Sequence, residues 1–494
     1  MNGRVVEGAR LESVYRVKNS IESSNLSSSA NSLITMFDKY LIYGLGKSGL
    51  ATAKFLSDNG CLVFATDDNV STIKQLTNIY PNIVFLNNIA DFVFDSKTAV
   101  VFAPGIALYY PVKHKIIDLC QKFGSYLLGD IELFFLFNNS YNKFIGITGT
   151  NGKSTTVSLV AFAFDKLQIP YSVGGNLGVP CFNLPQQTKN HHYIFEVSSF
   201  QLDLTKQIRF HIASLLNITP DHLDRYGSLT NYIESKKHIF ANQLFCDYAI
   251  INIDNKINAN IIANWCFASK LLLVSNNEIL QNGISLIDDV LFINFMGYNY
   301  RKEMQSEFLK GKHNQQNMVV AFANLFCYFL DKKQINEHII NDIIKSILQF
   351  SGLKHRLQIV AKQNNICFIN DSKATNADST SYALSAYDNI FWILGGRAKE
   401  GGINSLVSYF SKIKKAYLIG ESANNFAMIL QQNKINFVIC NTLDNAFALA
   451  YQDAQQNQDI ANILLSPACA SLDQWQSFEH RGDYFCNLVA NILK

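Results

Sequence analysis

Residues 143–164, KFIGITGTNGKSTTVSLVAFAF, constrain this chain more than any other stretch. An apolar run suited to a buried parallel strand enters a Gly-rich turn, and the turn opens a helix. A strand followed by a crossover helix pairs in parallel with its successor, so this unit dictates an α/β sheet covered by helices. The turn reads Thr148-Gly149-Thr150-Asn151-Gly152-Lys153-Ser154-Thr155-Thr156. In that setting backbone N–H groups and a helix N-terminus can wrap phosphates. Lys153 would reach the β- and γ-phosphates of ATP, and Ser154 would hold magnesium. The strict G-x-x-x-x-G-K-[ST] spacing is not met, because Ile147 stands at the first Gly position and Gly146 comes one residue early.

The same grammar recurs twice. Residues 39–68 read strand, Gly-rich turn, helix, strand, and a third start near 358–376 is followed by FWILGG, KKAYLIG, NFVIC and NILLSP. Short β runs alternating with helical stretches predict α/β architecture with parallel sheets throughout. A chain of 494 residues exceeds one ordinary core. Three domains are expected, over 37–131, 132–352 and 353–494. Residues 1–36 are rich in Ser and Asn and read as a disordered extension, or as sequence preceding a start at Met36.

Composition narrows the function classes. A net charge of +3 gives no broad electrostatic footprint for nucleic acid or an anionic membrane. No run reaches the length of a membrane span, and the N-terminus has no apolar core of a secretory signal. The 10 cysteines are scattered without CxxC pairs, as in buried free thiols of a reducing, cytoplasmic compartment.

Further polar groups cluster at strand ends. Gly44-Leu45-Gly46-Lys47-Ser48-Gly49 fits G-x-G-x-x-G, with Asp67 and Asp68 beyond the next strand. By itself this pattern reads as a dinucleotide site or as any tight strand-to-helix turn. Glu196 ends the strand of YIFEVSSFQLD and is either a capping residue or a magnesium ligand beside the phosphate loop. NITPDHLDRYGS places Asp221, His222, Asp224 and Arg225 just after an apolar strand, where open α/β sheets hold ligands. Lys236 and Lys237 follow on a predicted helix, and Lys237 reads as part of its solvated face.

TGTNGKST, GNLGVP, EVSSFQL, ITPDHLDRY with the Lys236 helix, GKHNQQN and KHRLQ occur in the order seen in the Mur ligase family, which the chain resembles from about residue 37 to its end. NDSKATN, ILGGRAKEGG and SPACASLDQWQSFEHRGDYF resemble the third-domain motifs of the members that add D-glutamate. The resemblance implies a Rossmann-like N-terminal domain, a P-loop-type central ATPase domain and a Rossmann-like C-terminal domain. It implies ligation of D-glutamate to UDP-N-acetylmuramoyl-L-alanine, with ATP consumed through an acyl phosphate, by a monomer.

The roles it implies are residue by residue. Gly46, Lys47, Ser48 and Asp67 would hold the uridine diphosphate part in place of a dinucleotide. Thr150 to Thr156 with Asn176, Asn317, Arg356 and Asp371 would hold ATP, placing it between the second and third domains. Ser154 and Glu196 would bind a first magnesium ion. His222, and Lys236 carrying a CO2-derived carbamate, would bind a second. Lys153, His222 and Lys236 would be catalytic. Lys373, Thr375, Lys399 and Ser471 would take the carboxylates of D-glutamate, with Phe478 as an apolar wall. Beside these, Arg397 would add a cation there or nothing, and Gly352 would be a hinge point or simply a turn. A ligase of the same superfamily with another amino acid, and a nicotinamide-dependent oxidoreductase resting on GLGKSG, are the competing readings.

Overall fold

A computed structural model describes residues 37–138, 142–176, 179–186, 190–306, 308–309, 311–398 and 401–493. The expected extension 1–36 and Lys399 lie outside the described residues. Two compact units emerge. One runs to Met304 and adds Gln316–Ile347; the other comprises Gln305–Gln315 and the chain from Leu348.

The first unit holds two sheets. Strands β1 (Lys39–Tyr43), β2 (Val63–Thr66), β3 (Val84–Phe85), β4 (Thr98–Phe102) and β5 (Tyr126–Leu128) form a parallel sheet in the order 3-2-1-4-5. Helix α1 (Lys47–Asp58) follows β1 directly. Its approach needs Gly49, since a Cβ there would stand 1.9 Å from the Gly44 carbonyl oxygen, whereas Gly46 faces open space.

Helix α2 (Asp130–Asn138), DIELFFLFN, is buried at every position and joins this sheet to the next. Phe134 packs edge-on to Phe144, Phe182, Tyr193 and Phe195. Full burial of one such ring is worth about 2–3 kcal/mol. Glu132 inside this helix escapes the usual penalty of a buried charge by accepting the backbone amides of Lys206, Gln207 and Ile208 at 2.7–3.0 Å.

The central sheet contains β6 (Lys143–Thr148), β7 (Tyr171–Gly175), β8 (His192–Glu196), β9 (Ile212–Leu215), β10 (Tyr248–Asn252), β11 (Lys270–Ser275), β12 (Gly283–Ile287), β13 (Val290–Phe295) and β14 (Tyr298–Glu303). Their order is 14-13-12-11-10-9-6-8-7. After β6 the chain builds β7 and β8 on one side, then crosses to β9 on the other. The carboxyl end of β6 is therefore the topological switch point where such sheets bind ligands. Strands β12 to β14 pair antiparallel, a departure from the wholly parallel expectation. Their turns explain it: Asp288-Asp289 and Met296-Gly297 have positive φ, as two-residue hairpin turns require.

The second unit is built on β15 (Gln358–Gln363), β16 (Ile366–Asn370), β17 (Ile390–Gly395), β19 (Ile413–Ile419), β20 (Phe437–Asn441) and β21 (Ala461–Leu465), ordered 15-16-21-17-19-20 and parallel except for β15. A short ribbon pairs β18 (Arg397–Ala398) with β22 (Cys469–Ala470).

Candidate functional site

The loop after β6 opens helix α3 (Lys153–Lys166). Gly152 is left-handed at φ +85°, and a Cβ there would lie 2.4 Å from Asn317 Oδ1. Asn317, on helix α5 (Lys312–Asp331), also accepts the Thr156 hydroxyl at 3.2 Å. The other flank is clamped by Asn217, just beyond β9. Its amide accepts from Asn151 N and donates to Asn151 O, at 2.9 and 3.1 Å. The Thr150 hydroxyl lies 3.2 Å from that of Tyr232, and the Thr150 amide donates to Asn217 O. Ser154 and Thr155 are buried in the first turn of α3.

Two lysines converge on the loop. Lys153 Nζ donates to Gly149 O and Thr150 O at 2.8 Å each. Lys236, on helix α4 (Leu229–Lys237), is only 1% exposed and donates to the same Gly149 O at 3.0 Å. Its ammonium sits 4.7 Å over the Tyr232 ring. Burial, then the charge of Lys153, hold the Lys236 amine well below the ordinary lysine range, against the opposing pull of Asp221, Asp203 and Glu196. Lys237 instead pairs with Glu234 on the outer face, as expected.

Glu196 ends β8 in register with Ile147 of β6. Oε1 accepts from Asn176 Nδ2 at 2.7 Å, and Oε2 is buried with no hydrogen-bond partner. A buried, unpartnered carboxylate oxygen beside an anion-binding loop fits a hard cation. Among the described residues no group of three or more His, Cys, Asp and Glu is placed to hold a metal alone. The donor set suits magnesium, which keeps waters and takes phosphate oxygens beside one or two protein ligands.

His222 has left-handed φ (+54°), a strained conformation that concentrates at functional positions. Its Nε2 lies 3.3 Å from Asp221 Oδ2, and its ring packs 4.8 Å from Phe200 and 6.2 Å from Tyr232. Lys153, Lys236, Glu196, Asn176, His222 and Asn317 thus surround one strand end with the loop between them.

The other expected residues belong to the first sheet and to the second unit. Gly46, Lys47 and Ser48 open α1 at the carboxyl end of β1. Asp67, after β2, accepts Leu45 N at 2.6 Å and Asn69 N at 2.9 Å, so its carboxylate braces the turn. The Ser48 hydroxyl donates to the buried Asp130 at 2.7 Å. In the second unit Asp371, beyond β16, accepts from Leu357 N at 3.1 Å and from the Ser466 hydroxyl at 2.7 Å. Burial pushes its carboxyl up to about 7, opposed by those bonds and by the Arg356 charge. Lys373 Nζ lies 5.5 Å from the Phe478 ring, and the Thr375 amide bonds to Lys373 O. Ser471 is buried directly after β22. These segments meet where the adjacent parallel strands β16, β21 and β17 end. Arg397 is exposed and forked onto Glu421.

Sequence reasoning missed Tyr232, Asn217 and Arg481. Tyr232 was accessible from its i, i+4 spacing to Lys236 on one helix face. Asn217 and the buried Arg481, which donates to Ser372 and Cys469, carry no local signal because their partners are remote in sequence.

The Mur ligase middle domain family matches residues 147–325, and the family described as Mur ligase, glutamate ligase domain, matches 355–469. The UDP-N-acetylmuramoylalanine--D-glutamate ligase of Rickettsia prowazekii (strain Madrid E) is 40% identical, over 90% of this chain and 96% of its own. The protein of the same name from Wolbachia pipientis wMel is 34% identical, over 91% and 96%. In fold the chain resembles the UDP-N-acetylmuramate-alanine ligase MurC of Thermotoga maritima, with a TM-score of 0.53 at 15% identity, over 92% of this chain and 99% of the other.

Proposed function

The chain belongs to the Mur ligase family, and from that premise we propose that it joins D-glutamate to UDP-N-acetylmuramoyl-L-alanine, consuming ATP, in the synthesis of peptidoglycan precursors. The observation that carries the chemistry is the meeting of Lys153, Lys236 and the unpartnered Glu196 oxygen at the switch point of the central sheet. A carboxylate is a poor electrophile, so the γ-phosphoryl of ATP is first transferred to the alanyl carboxylate, giving a mixed anhydride and ADP. The D-glutamate amine attacks that carbonyl, its proton passes to solvent or a base, and phosphate leaves. The barrier is the approach of anions, and fixed cations lower it.

Lys153 exchanges its contacts with Gly149 O and Thr150 O for the β- and γ-phosphates, while the amides of Thr150 to Thr156 orient them. Magnesium, used across the family with ATP, would neutralise phosphate charge; Ser154 and Glu196 would hold one ion. His222 and Lys236 would hold a second, Lys236 after its neutral amine adds CO2 and releases a proton to give a carbamate. Its burial supports this step by disfavouring the ammonium form. Asn176, Asn317, Arg356 and Asp371 complete the nucleotide contacts. Gly46, Lys47, Ser48 and Asp67 serve the UDP part. Lys373, Thr375, Ser471 and Phe478, with Lys399 outside the described residues, receive D-glutamate.

No helix among the described residues is long and apolar enough to cross a membrane. The ten free cysteines support a reducing, cytoplasmic setting, and a monomer is proposed. The test is phosphate release with UDP-N-acetylmuramoyl-L-alanine, ATP, magnesium and D- or L-glutamate. Release with D-glutamate alone supports the proposal. Preference for another amino acid would replace the substrate, and no release with any would overturn the reaction.

A further inference from the structure

We infer that Arg225 is a positioning residue, which ties the loop 103–111 of the first sheet to His222 and so sets the phosphoryl-transfer site. The inference deepens the proposed ligase reading and rests on it.

Arg225 lies three residues after His222 and spans two sheets. Its guanidinium donates through Nη1 to Gly105 O at 3.0 Å and through Nη2 to Ile106 O at 2.8 Å. Its central carbon stands 3.7 Å from the centroid of the Phe200 ring. The same ring packs 4.8 Å from the His222 imidazole. Phe200 therefore touches both residues, and its own place is fixed by the short helix Ser199–Leu202, capped reciprocally by Ser198 and Gln201. A second contact docks the loop: the Tyr110 ring lies against Gly227, where a Cβ would come within 3.1 Å.

The chemistry of the contact is unusual for an arginine. Among the described residues it forms no ion pair, and its fork is spent on two backbone carbonyls. Carbonyl acceptors neutralise little of the charge, so a half-buried guanidinium is placed here for its planar fork rather than for pairing. The carbonyls belong to the turn beside Gly44, since a Cβ on Gly44 would meet Ala103 and Ile106. Gly44 in turn leads into α1, the helix proposed to face the UDP part of the substrate. The line Gly44, Ile106, Arg225, Phe200, His222 is a continuous set of contacts from the substrate turn to the metal-side histidine. Its function is to hold His222 in register when the UDP substrate is seated.

The experiment compares Arg225→Met, which keeps packing on Phe200 but loses the fork, with Arg225→Lys, which keeps the charge. Each is made alone and with His222→Ala, and D-glutamate-dependent phosphate release is measured. Displacing a reacting group by about an ångström costs roughly 100-fold, so kcat should fall by about that factor in Arg225→Met with the KM for ATP changed less than about threefold. In the His222→Ala background the same change should add little, because both losses act through one group. A kcat within about threefold of the wild type, or a full multiplicative loss in the double variant, overturns the inference. If Arg225→Met does not fold, Arg225→Lys is judged by the same criteria. Wild-type protein inactive in this assay would instead defeat the ligase reading.

Discussion

Glu196→Gln separates a functional charge from a structural one. Glu196 is buried, Oε1 is satisfied by Asn176 at 2.7 Å, and Oε2 has no partner. An unsatisfied buried polar atom costs about 1–3 kcal/mol, and more when charged. The amide is isosteric, keeps the acceptor for Asn176, and leaves a neutral donor in place of the orphaned oxygen. Part of the penalty persists, so the gain should be about 1–2 kcal/mol. Little attraction to Lys236 is lost, because that amine is held toward its neutral form. At roughly 2–4 °C per kcal/mol, the thermal midpoint without nucleotide should rise by about 2–8 °C. Function should move the other way, with kcat down by about 100- to 1,000-fold, the range seen when a preorganised electrostatic group is removed. The assay pairs melting curves, with and without magnesium and a non-hydrolysable ATP analogue, with phosphate release. In the wild type, magnesium should add to the stabilisation by the analogue; in Glu196→Gln that increment should vanish. A variant that melts below the wild type, or one that keeps both the magnesium increment and its turnover, would refute the reasoning.

Three other substitutions probe neighbouring features. Lys236→Ala should lose ligation at least about 100-fold, with partial recovery in added short-chain carboxylates; normal turnover removes the carbamate. The folded amine is depressed, so below the usual lysine range the unfolded chain binds more protons. Wild-type stability should therefore rise with pH by about 1.4 kcal/mol per unit in that window, a slope absent from the variant in urea titrations. Asp371 is raised from 3.8 to about 7, so as pH climbs through that interval the unfolded chain releases a proton that the folded chain keeps. Stability should fall by about 4 kcal/mol across it, and Asp371→Asn should flatten the fall while weakening ATP binding. Gly152→Ala forces a Cβ to 2.4 Å from Asn317 Oδ1 at φ +85°. The left-handed strain of about 1–2 kcal/mol, with about 1 kcal/mol for the displaced Asn317 bond, should appear as a lower melting point and weaker ATP binding in calorimetry. Unchanged binding would sever the loop from the nucleotide.

What could be read from sequence was local and periodic. The β6–loop–α3 unit was legible because an apolar run, a Gly-rich turn and a helix adjoin in sequence. The antiparallel extension Gly283–Glu303 was not read, because neither Asp288-Asp289 nor Met296-Gly297 is one of the favoured two-residue hairpin pairs and neighbouring parallel units set the expectation. The site divides on the same line. Lys153, Glu196 and His222 stood out because each ends or follows a strand. The clamp of Asn217 on Asn151, the donation of Ser48 to Asp130 and the reach of Arg225 to Gly105 link residues 66, 82 and 120 positions apart. Nothing in a local pattern encodes such pairings, since topology alone brings them together.

The shared acceptor explains why two lysines occupy one cradle without equivalent roles. Lys153 and Lys236 both donate to Gly149 O, at 2.8 and 3.0 Å. Two ammonium groups on one carbonyl repel, and the group with less access to water yields its proton more readily. Lys153 is only partly buried and has a second carbonyl at Thr150. Lys236 is sealed against the Tyr232 ring, so desolvation and the Lys153 charge act on it together. On the proposed reading, the partly buried position serves the phosphates. The other supplies the buried amine proposed to take up CO2, and the difference in burial is what sets the two apart.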